Sequence, residues 1–360
     1  MWKCNAKSKI TLLLLVMMIA TLVLSACGSK TNQPPSSGNN SATEEKHFEL
    51  KLAGIKTEDD PATLAMEKFA EIVNSNPSAN ITIKTFPNSV LGSVNDMLSG
   101  MPTGMTDMFY NTLSCYSWLE GAKKFNAVIA PFIWDSQEEL EAFLESDIAK
   151  QWFEEAAAST GVRVLAAAGE LPPRQLTANK PIKSAEDFKG LKIRTAESAL
   201  VQQTMKKLGA TPVVIPFADL YIALRQGTVD AQENNFITVK NNSLYEVQKY
   251  FMKTDYIRDV SAIFISENIW KQLSPKQQEI LKEAALEAVN YEAKLIAETM
   301  DETMEFLNEK MTYVEIDIES IKNKLGEEFY KEIDKDGALW PTGTIDEILE
   351  FKANYKKVNS

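Results

Sequence analysis

The sequence predicts an α/β protein built as two lobes, and three observations carry that expectation. Residues 180–235 alternate strand, helix, strand, helix, strand, a pattern that implies parallel pairing. Breaks at 169–174, with Pro172 and Pro173, and near Asp259 read as two crossings of the chain between lobes. Finally, residues 274–310 keep apolar side chains at helical spacing for about 50 Å of helix at roughly 1.5 Å per residue. That length exceeds the width of one small lobe, so the helix is expected to span both.

Taken in order, Phe48, Leu50 and Leu52 alternate with Glu49 and Lys51, the period of a half-buried strand. Asp60 followed by Pro61 reads as a helix cap with proline at the first helical position. The apolar stripe expected on that helix is Leu64, Ala65, Phe69, Ile72 and Val73, and Ile81, Ile83 and Thr85 share a face of the next strand. A helix over about 93–101 precedes a strand over 106–110, which discharges at Asn111-Thr112-Leu113-Ser114-Cys115. Helices near 136–145 and 148–159 lead to a strand over 162–166.

Beyond the first crossing, Ser184 with Asp187 reads as a capped short helix, and the strand 191–194 delivers Arg194 to its C-terminal end. A helix over about 197–208 closes at Gly209, a strand covers 213–216, and a helix over 217–226 closes at Gly227. Residues 229–235 end at another strand-to-helix turn. Parallel pairing puts these strand ends on one edge, where open α/β sheets bind ligands, and both Arg194 and Asn234 fall there. Residues 261–266 read as a strand returning to the first sheet. Ser274-Pro275-Lys276-Gln277 then combines a serine cap, proline at the first position and glutamine at the third. The methionines of the long helix read as core filler.

The 360 residues carry a formal charge of −12 at pH 7, and 44% of them are hydrophobic, enough to bury the cores of two ordinary domains. An acidic chain with no basic, aromatic-interleaved patch is not expected to bind nucleic acid. Residues 1–26 read as a signal peptide, with Lys3, Lys7 and Lys9 ahead of an apolar run over 10–24. That run is shorter than the roughly 20 residues a spanning helix needs. Leu24-Ser25-Ala26-Cys27 resembles a bacterial lipobox, in which Cys27 takes the lipid and becomes the new N-terminus. Residues 27–47 therefore read as a lipidated cysteine and a flexible Ser-, Asn-, Gly- and Pro-rich tether. Cys115 would then be the single free thiol, which precludes a structural disulfide.

His47 is the only histidine, so a histidine triad or histidine-ligated metal is not expected, and neither a metal nor a cofactor is assigned. Phosphate-binding glycine loops and the nucleophile elbow are missing as motifs. The pairs Asp59-Asp60, Glu138-Glu139 and Glu154-Glu155 sit at helix starts or on helix surfaces, where they read as caps and solvated faces. Catalytic residues are accordingly assigned to none of these positions.

Four stretches, in order and spacing, resemble the substrate-binding proteins of tripartite ATP-independent periplasmic (TRAP) transporters: FPNSVLGSVNDMLSGMPTGMTDM, NKPIKSAEDFKGLKIR, ADLYIALRQGTVDAQEN and YEVQKY. The resemblance runs from about Phe48 to Ser266. It implies a two-lobed periplasmic-binding-protein-like fold, with mixed sheets flanked by helices. The expected lobes are 48–170 with about 260–300, and 171–259 with about 301–360.

On its own a strand-end arginine reads as a surface ion pair or an anion ligand. The resemblance implies that Arg194 grips a ligand carboxylate through its planar donor fork. It also implies a second arginine at Arg174, a hydrogen-bonding Asn234 and a ligand-stacking Phe217. Asn111, Thr112, Glu197 and Asp259 complete the expected ligand-binding set. Glu197 stands where the family usually has asparagine, and it either accepts from a ligand hydroxyl or amine or caps its helix. Ile55, Val94, Thr112 and Cys115 occupy the distal wall, where sialic-acid-binding members carry polar or charged groups. Such a wall disfavours a nine-carbon polyhydroxylated sugar acid, whose hydroxyls would be buried unpaired.

The implied function is an extracytoplasmic, membrane-anchored lipoprotein that binds an organic carboxylate and delivers it to TRAP permease subunits, without enzymatic activity. The alternatives are a surface-tethered enzyme acting on a carboxylic acid and a ligand-sensing lipoprotein.

Overall fold

Alternating Phe48, Leu50 and Leu52 turn one face of the first strand inward, and Leu52 is completely buried. The same logic repeats through a computed structural model that describes residues 46–326 and 328–359. The expected signal peptide, Cys27 and most of the tether lie outside the described residues.

The strands are β1 Phe48–Ala53, β2 Ile81–Phe86, β3 Met108–Thr112, β4 Val162–Glu170, β5 Gln175–Ala178 and β6 Lys192–Thr195. They continue with β7 Thr211–Val214, β8 Ala231–Asn234, β9 Tyr250–Met252, β10 Val260–Ser266 and β11 Thr312–Tyr313. One sheet has the order β2-β1-β3-β10-β4, the other β11-β9-β5-β8-β6-β7. In the first, β1 runs parallel to β2 and β3, while β10 enters antiparallel between β3 and β4. All seven residues of β10 are buried because it has a strand on each side. In the second, β6 is parallel to both β7 and β8, as expected, and β5 is antiparallel to β8 and β9.

Local expectations fail in instructive places. Leu64 is exposed, and Met66 takes its place in the core against Phe69 and Val73. The strand expected to stop at 166 runs on to Glu170, since Gly169 at φ +81 lets the backbone of Val289 pack close against it. The strand expected over 213–216 lies earlier, at Thr211–Val214, because Thr211 N–H bonds Leu191 O and sets its register against β6. The helix expected from 217 opens as a 3-10 turn, Phe217–Asp219, before the α-helix Leu220–Arg225.

The long helix is Pro275–Lys310, with Ser274 and Gln277 forming the capping box that the sequence announces. Leu281, Ala284, Ala288 and Val289 pack on the first sheet with Phe69, Ile263 and Ile265. Ile296 meets Leu171 and Ile237 midway, and Leu307 joins Phe251 of the second sheet and Phe236 of the helix that follows β8. The helix thus spans both sheets. Residues after it divide their packing: β11 pairs with β9, whereas Glu347 accepts from Trp152 Nε1 and Lys352 bonds Glu139 at 2.8 Å.

Candidate ligand-binding site

The C-terminal ends of β1, β3, β6, β7 and β8 open onto one cavity of about 360 Å³. Of the expected ligand-binding residues, Arg194, Arg174, Asn234, Phe217, Asn111, Thr112 and Glu197 line it. So do the four residues of the expected distal wall, Ile55, Val94, Thr112 and Cys115.

Arg194, at the end of β6, is only 2% exposed. Its Nε donates to Ile215 O at 2.9 Å, which pins the guanidinium just beyond β7. Among the described residues, its two terminal nitrogens meet no carboxylate within 4.0 Å and make no hydrogen bond. Burial pulls the guanidinium down to about 10, with Glu233 opposing and Arg174 adding to the shift, so it remains cationic at neutral pH.

Arg174 is differently placed. It follows the crossing, and its backbone N–H bonds Ile257 O at 3.0 Å. The side chain forks onto Glu233: Nε bonds Oε2, and Nη2 lies 2.9 Å from Oε1 and 2.8 Å from the Glu233 carbonyl. Tyr256 Oη donates to the same carboxylate at 2.7 Å. Burial alone would lower the Arg174 pKa, but the facing Glu233 outweighs it and the net shift is upward. Asn234 accepts from Arg174 Nη2 at 3.2 Å and donates to Gln232 Oε1 at 2.6 Å. Glu233, a buried acid in the middle of a strand, was the available sequence signal for this pair.

Asp259 does not line the cavity. Its Oδ1 accepts from the N–H groups of Ser114 and Val260, which anchors the turn Leu113–Trp118 beneath the site. Burial raises its carboxyl. Cys115 in that turn is buried and free, its thiol donating to Thr112 O at 3.1 Å, and burial drives its pKa well up. A thiol so held is a poor nucleophile. Glu197 is half-buried at the cavity and, among the described residues, has no cation within 4.0 Å; burial, then Asp96, raise its carboxyl against the pull of Arg194.

Lys56, two residues beyond the β1 neighbour Gly54, also lines the cavity and was not singled out from the sequence. Its Nζ donates to Thr238 Oγ1 at 2.9 Å and stands 4.6 Å from the Phe217 ring centroid. The available signal was its position just past a strand's C-terminal end. Among the described residues, no group of three or more His, Cys, Asp or Glu is arranged to hold a metal, and no helix is long and apolar enough to cross a membrane.

The site therefore offers fixed cations and hydrogen-bond donors around a partly open cavity, the makings of an anion-binding pocket. Residues 52–336 match the family described as bacterial extracellular solute-binding protein, family 7. A solute-binding protein of Roseobacter denitrificans is 31% identical over 281 residues, covering 77% of this chain and 84% of the relative. A TRAP periplasmic solute-binding protein from the same organism, solved with bound L-galactonate, superposes with TM-score 0.77 at 26% identity, covering 85% of this chain and 99% of that one. Another, from Fusobacterium nucleatum with bound sn-glycerol-3-phosphate, gives 0.79 at 25% identity, covering 87% and 100%. The chain belongs to the bacterial extracellular solute-binding proteins of family 7.

Proposed function

We propose that this protein is the extracytoplasmic receptor of a TRAP-type secondary transporter, binding an organic carboxylate between two lobes and passing it unchanged to membrane permease subunits. The observation that carries the proposal is Arg194, a buried guanidinium pinned through Nε by a neutral carbonyl, with its outer fork turned to a cavity and unpaired by any described carboxylate. A planar fork of this kind matches two carboxylate oxygens. Two relatives hold anions, L-galactonate and sn-glycerol-3-phosphate.

In this reading Asn234, Asn111, Thr112 and Glu197 supply polar contacts and Phe217 a stacking face. Arg174 contributes through the nitrogen that Glu233 leaves open, and Asp259 acts at one remove by holding Ser114. In this reading the lobes are 48–170 with about 260–300, and 171–259 with about 301–360, the last helix of the second reaching back to Trp152 and Glu139 of the first. Cys27 is the lipid attachment point, supported by the Leu24-Ser25-Ala26-Cys27 sequence.

A thermal-shift screen across carboxylic acids tests the binding reading. A true ligand at about 100 times its Kd adds roughly 2.7 kcal/mol of stability. A screen in which no acid raises the melting temperature at millimolar concentration, or in which a bound acid is chemically converted, would overturn it.

A further inference from the structure

We propose that Glu292 is a proton site coupled to solute binding: closure of the two lobes over an anionic solute takes up one proton on this carboxyl, so affinity falls as the pH rises. The inference rests on the carboxylate reading of the cavity and concerns a second, smaller chamber behind it.

Glu292 interrupts the apolar stripe of the long helix. Ala288 and Val289 one turn before it and Ile296 one turn after it are buried, and Glu292 itself is only 5% exposed. Tyr110 Oη and Ser261 Oγ donate to its Oε2 at 2.8 and 2.5 Å. Among the described residues its Oε1 accepts no hydrogen bond, and the carboxyl borders a chamber of about 40 Å³, wide enough for water. A buried carboxylate with one oxygen unanswered is costly, whereas the neutral acid costs far less.

The chamber lies between the lobes. Lys56, Asp60, Tyr110 and Ser261 border it from the first sheet and its connections, while Asn235, Ile237 and Thr238 border it from the helix Phe236–Asn241 and its cap, after β8 of the second. Two bonds join these sides: Lys56 Nζ donates to Thr238 Oγ1 at 2.9 Å, and Asn241 Nδ2 to Asp60 Oδ2 at 3.4 Å. Parting the lobes removes the second wall and lets water solvate Glu292, where ionisation is cheap. Closing them restores the surroundings in which burial pushes the carboxyl up to about 7, Asp60 adding to the shift and Ser261, Tyr110 and Lys56 opposing it. The closed form therefore holds the proton more tightly than the open one, and by linkage the proton favours closure.

Charge balance points the same way. Lys56, Asp60 and Glu292 leave the chamber with one net negative charge when all are ionised, and with none when Glu292 is protonated. Lys56, Asn111, Thr112, Asn235 and Thr238 also line the ligand cavity, so a bound anion brings further negative charge next to the chamber. Tyr110 stays neutral, its phenol driven well up by burial. The other charged groups on elements packed around Glu292 are answered elsewhere: Lys68 pairs with Glu71, Arg163 with Glu154 and Glu267, and Lys240 with Glu302, while Glu67 and Glu170 are exposed.

Calorimetry on the purified protein at about pH 6, 7 and 8 tests the coupling, with L-galactonate and the best acid of the thermal-shift screen as probes; simple carboxylic acids are ionised throughout this range. Heats measured in phosphate and in Tris at each pH give the protons taken up per bound probe. The wild type should take up roughly 0.5–0.9 proton between pH 7 and 6, and its Kd should rise about five- to ten-fold from pH 6 to 8. Glu292→Gln keeps an acceptor for Tyr110 and Ser261 and stands in for the neutral acid. It should take up no proton and hold the wild type's acidic-pH affinity at every pH. Glu292→Met serves as a second variant should the first fail to fold. His47→Gln removes the only histidine and Glu197→Gln the raised acid at the cavity, and uptake should persist in both. A wild type with pH-independent Kd and no uptake, uptake that survives loss of the Glu292 carboxyl, or uptake that vanishes only in His47→Gln or Glu197→Gln would overturn the proton inference and leave the carboxylate reading standing. A screen that yields no binding acid would overturn the carboxylate reading and this inference with it.

Discussion

Arg174 and Glu233 hold each other in a two-pronged ion pair, Nη2 2.9 Å from Oε1, with Glu233 almost wholly removed from solvent. The two arginines at the cavity therefore differ in kind. One is neutralised by the protein, while the other keeps an open fork.

That difference predicts opposite behaviour on truncation. Arg174→Ala strands the Glu233 carboxylate in a buried site and should lower folding stability by roughly 3–5 kcal/mol in denaturant titration. Arg194→Ala should leave ligand-free stability unchanged or higher, because burial already disfavours that cation. Binding of the acid found by screening should instead weaken by about 2–5 kcal/mol, and Arg194→Lys should recover little of it. A destabilised Arg194→Ala with near-native affinity would reverse the two assignments.

Glu292 predicts a pH dependence of stability. Burial pushes its carboxyl up to about 7 from an ordinary 4.5, with Asp60 adding to the shift and with Ser261, Tyr110 and Lys56 opposing it. The folded protein then holds this proton more tightly than the unfolded chain. Its contribution is full below about pH 4.5, declines between 4.5 and 7, and is flat above, a span of roughly 3 kcal/mol. Glu292→Gln should flatten that decline, matching the wild type near pH 4.5 and exceeding it at pH 8. Parallel stability curves for the two proteins across this window would contradict the shift.

Gly169 should tolerate no side chain. At φ +81, an added Cβ would sit 2.5 Å from the Val289 carbonyl oxygen in the long helix. Left-handed backbone strain and overpacking together should make Gly169→Ala destabilising by roughly 2–4 kcal/mol. Gly104, at φ +79 with nothing within 4 Å of the added carbon, is the control; Gly104→Ala should cost only about 1–2 kcal/mol. Equal melting temperatures for the two variants would show that the helix yields at Val289.

Lobe closure is the mechanical expectation. A ligand that bridges groups from both sheets can shift the population toward a closed form, with residues 171–174 and the segment before β10 as hinges. Small-angle scattering should show a smaller radius of gyration at ligand saturation. An unchanged profile would indicate a rigid pocket.

What the sequence determined by itself was whatever short-range physics controls. The β6-to-β8 alternation, the Asp60 and Ser274 caps and the long helix were legible because periodicity and capping act over a few residues. The position of Arg194 at a strand end followed from the same pattern, and the role proposed for it came from family resemblance. Tertiary structure alone decided which charges are answered. Arg174 and Glu233 are 59 residues apart, and Lys56–Thr238 and Tyr110–Glu292 are each separated by 182. Asp259 lay under the pocket instead of in it, and Leu64 yielded its core place to Met66. Pairing of that kind depends on long loops closing to bring distant side chains together, and no local pattern along the chain encodes which ones will meet.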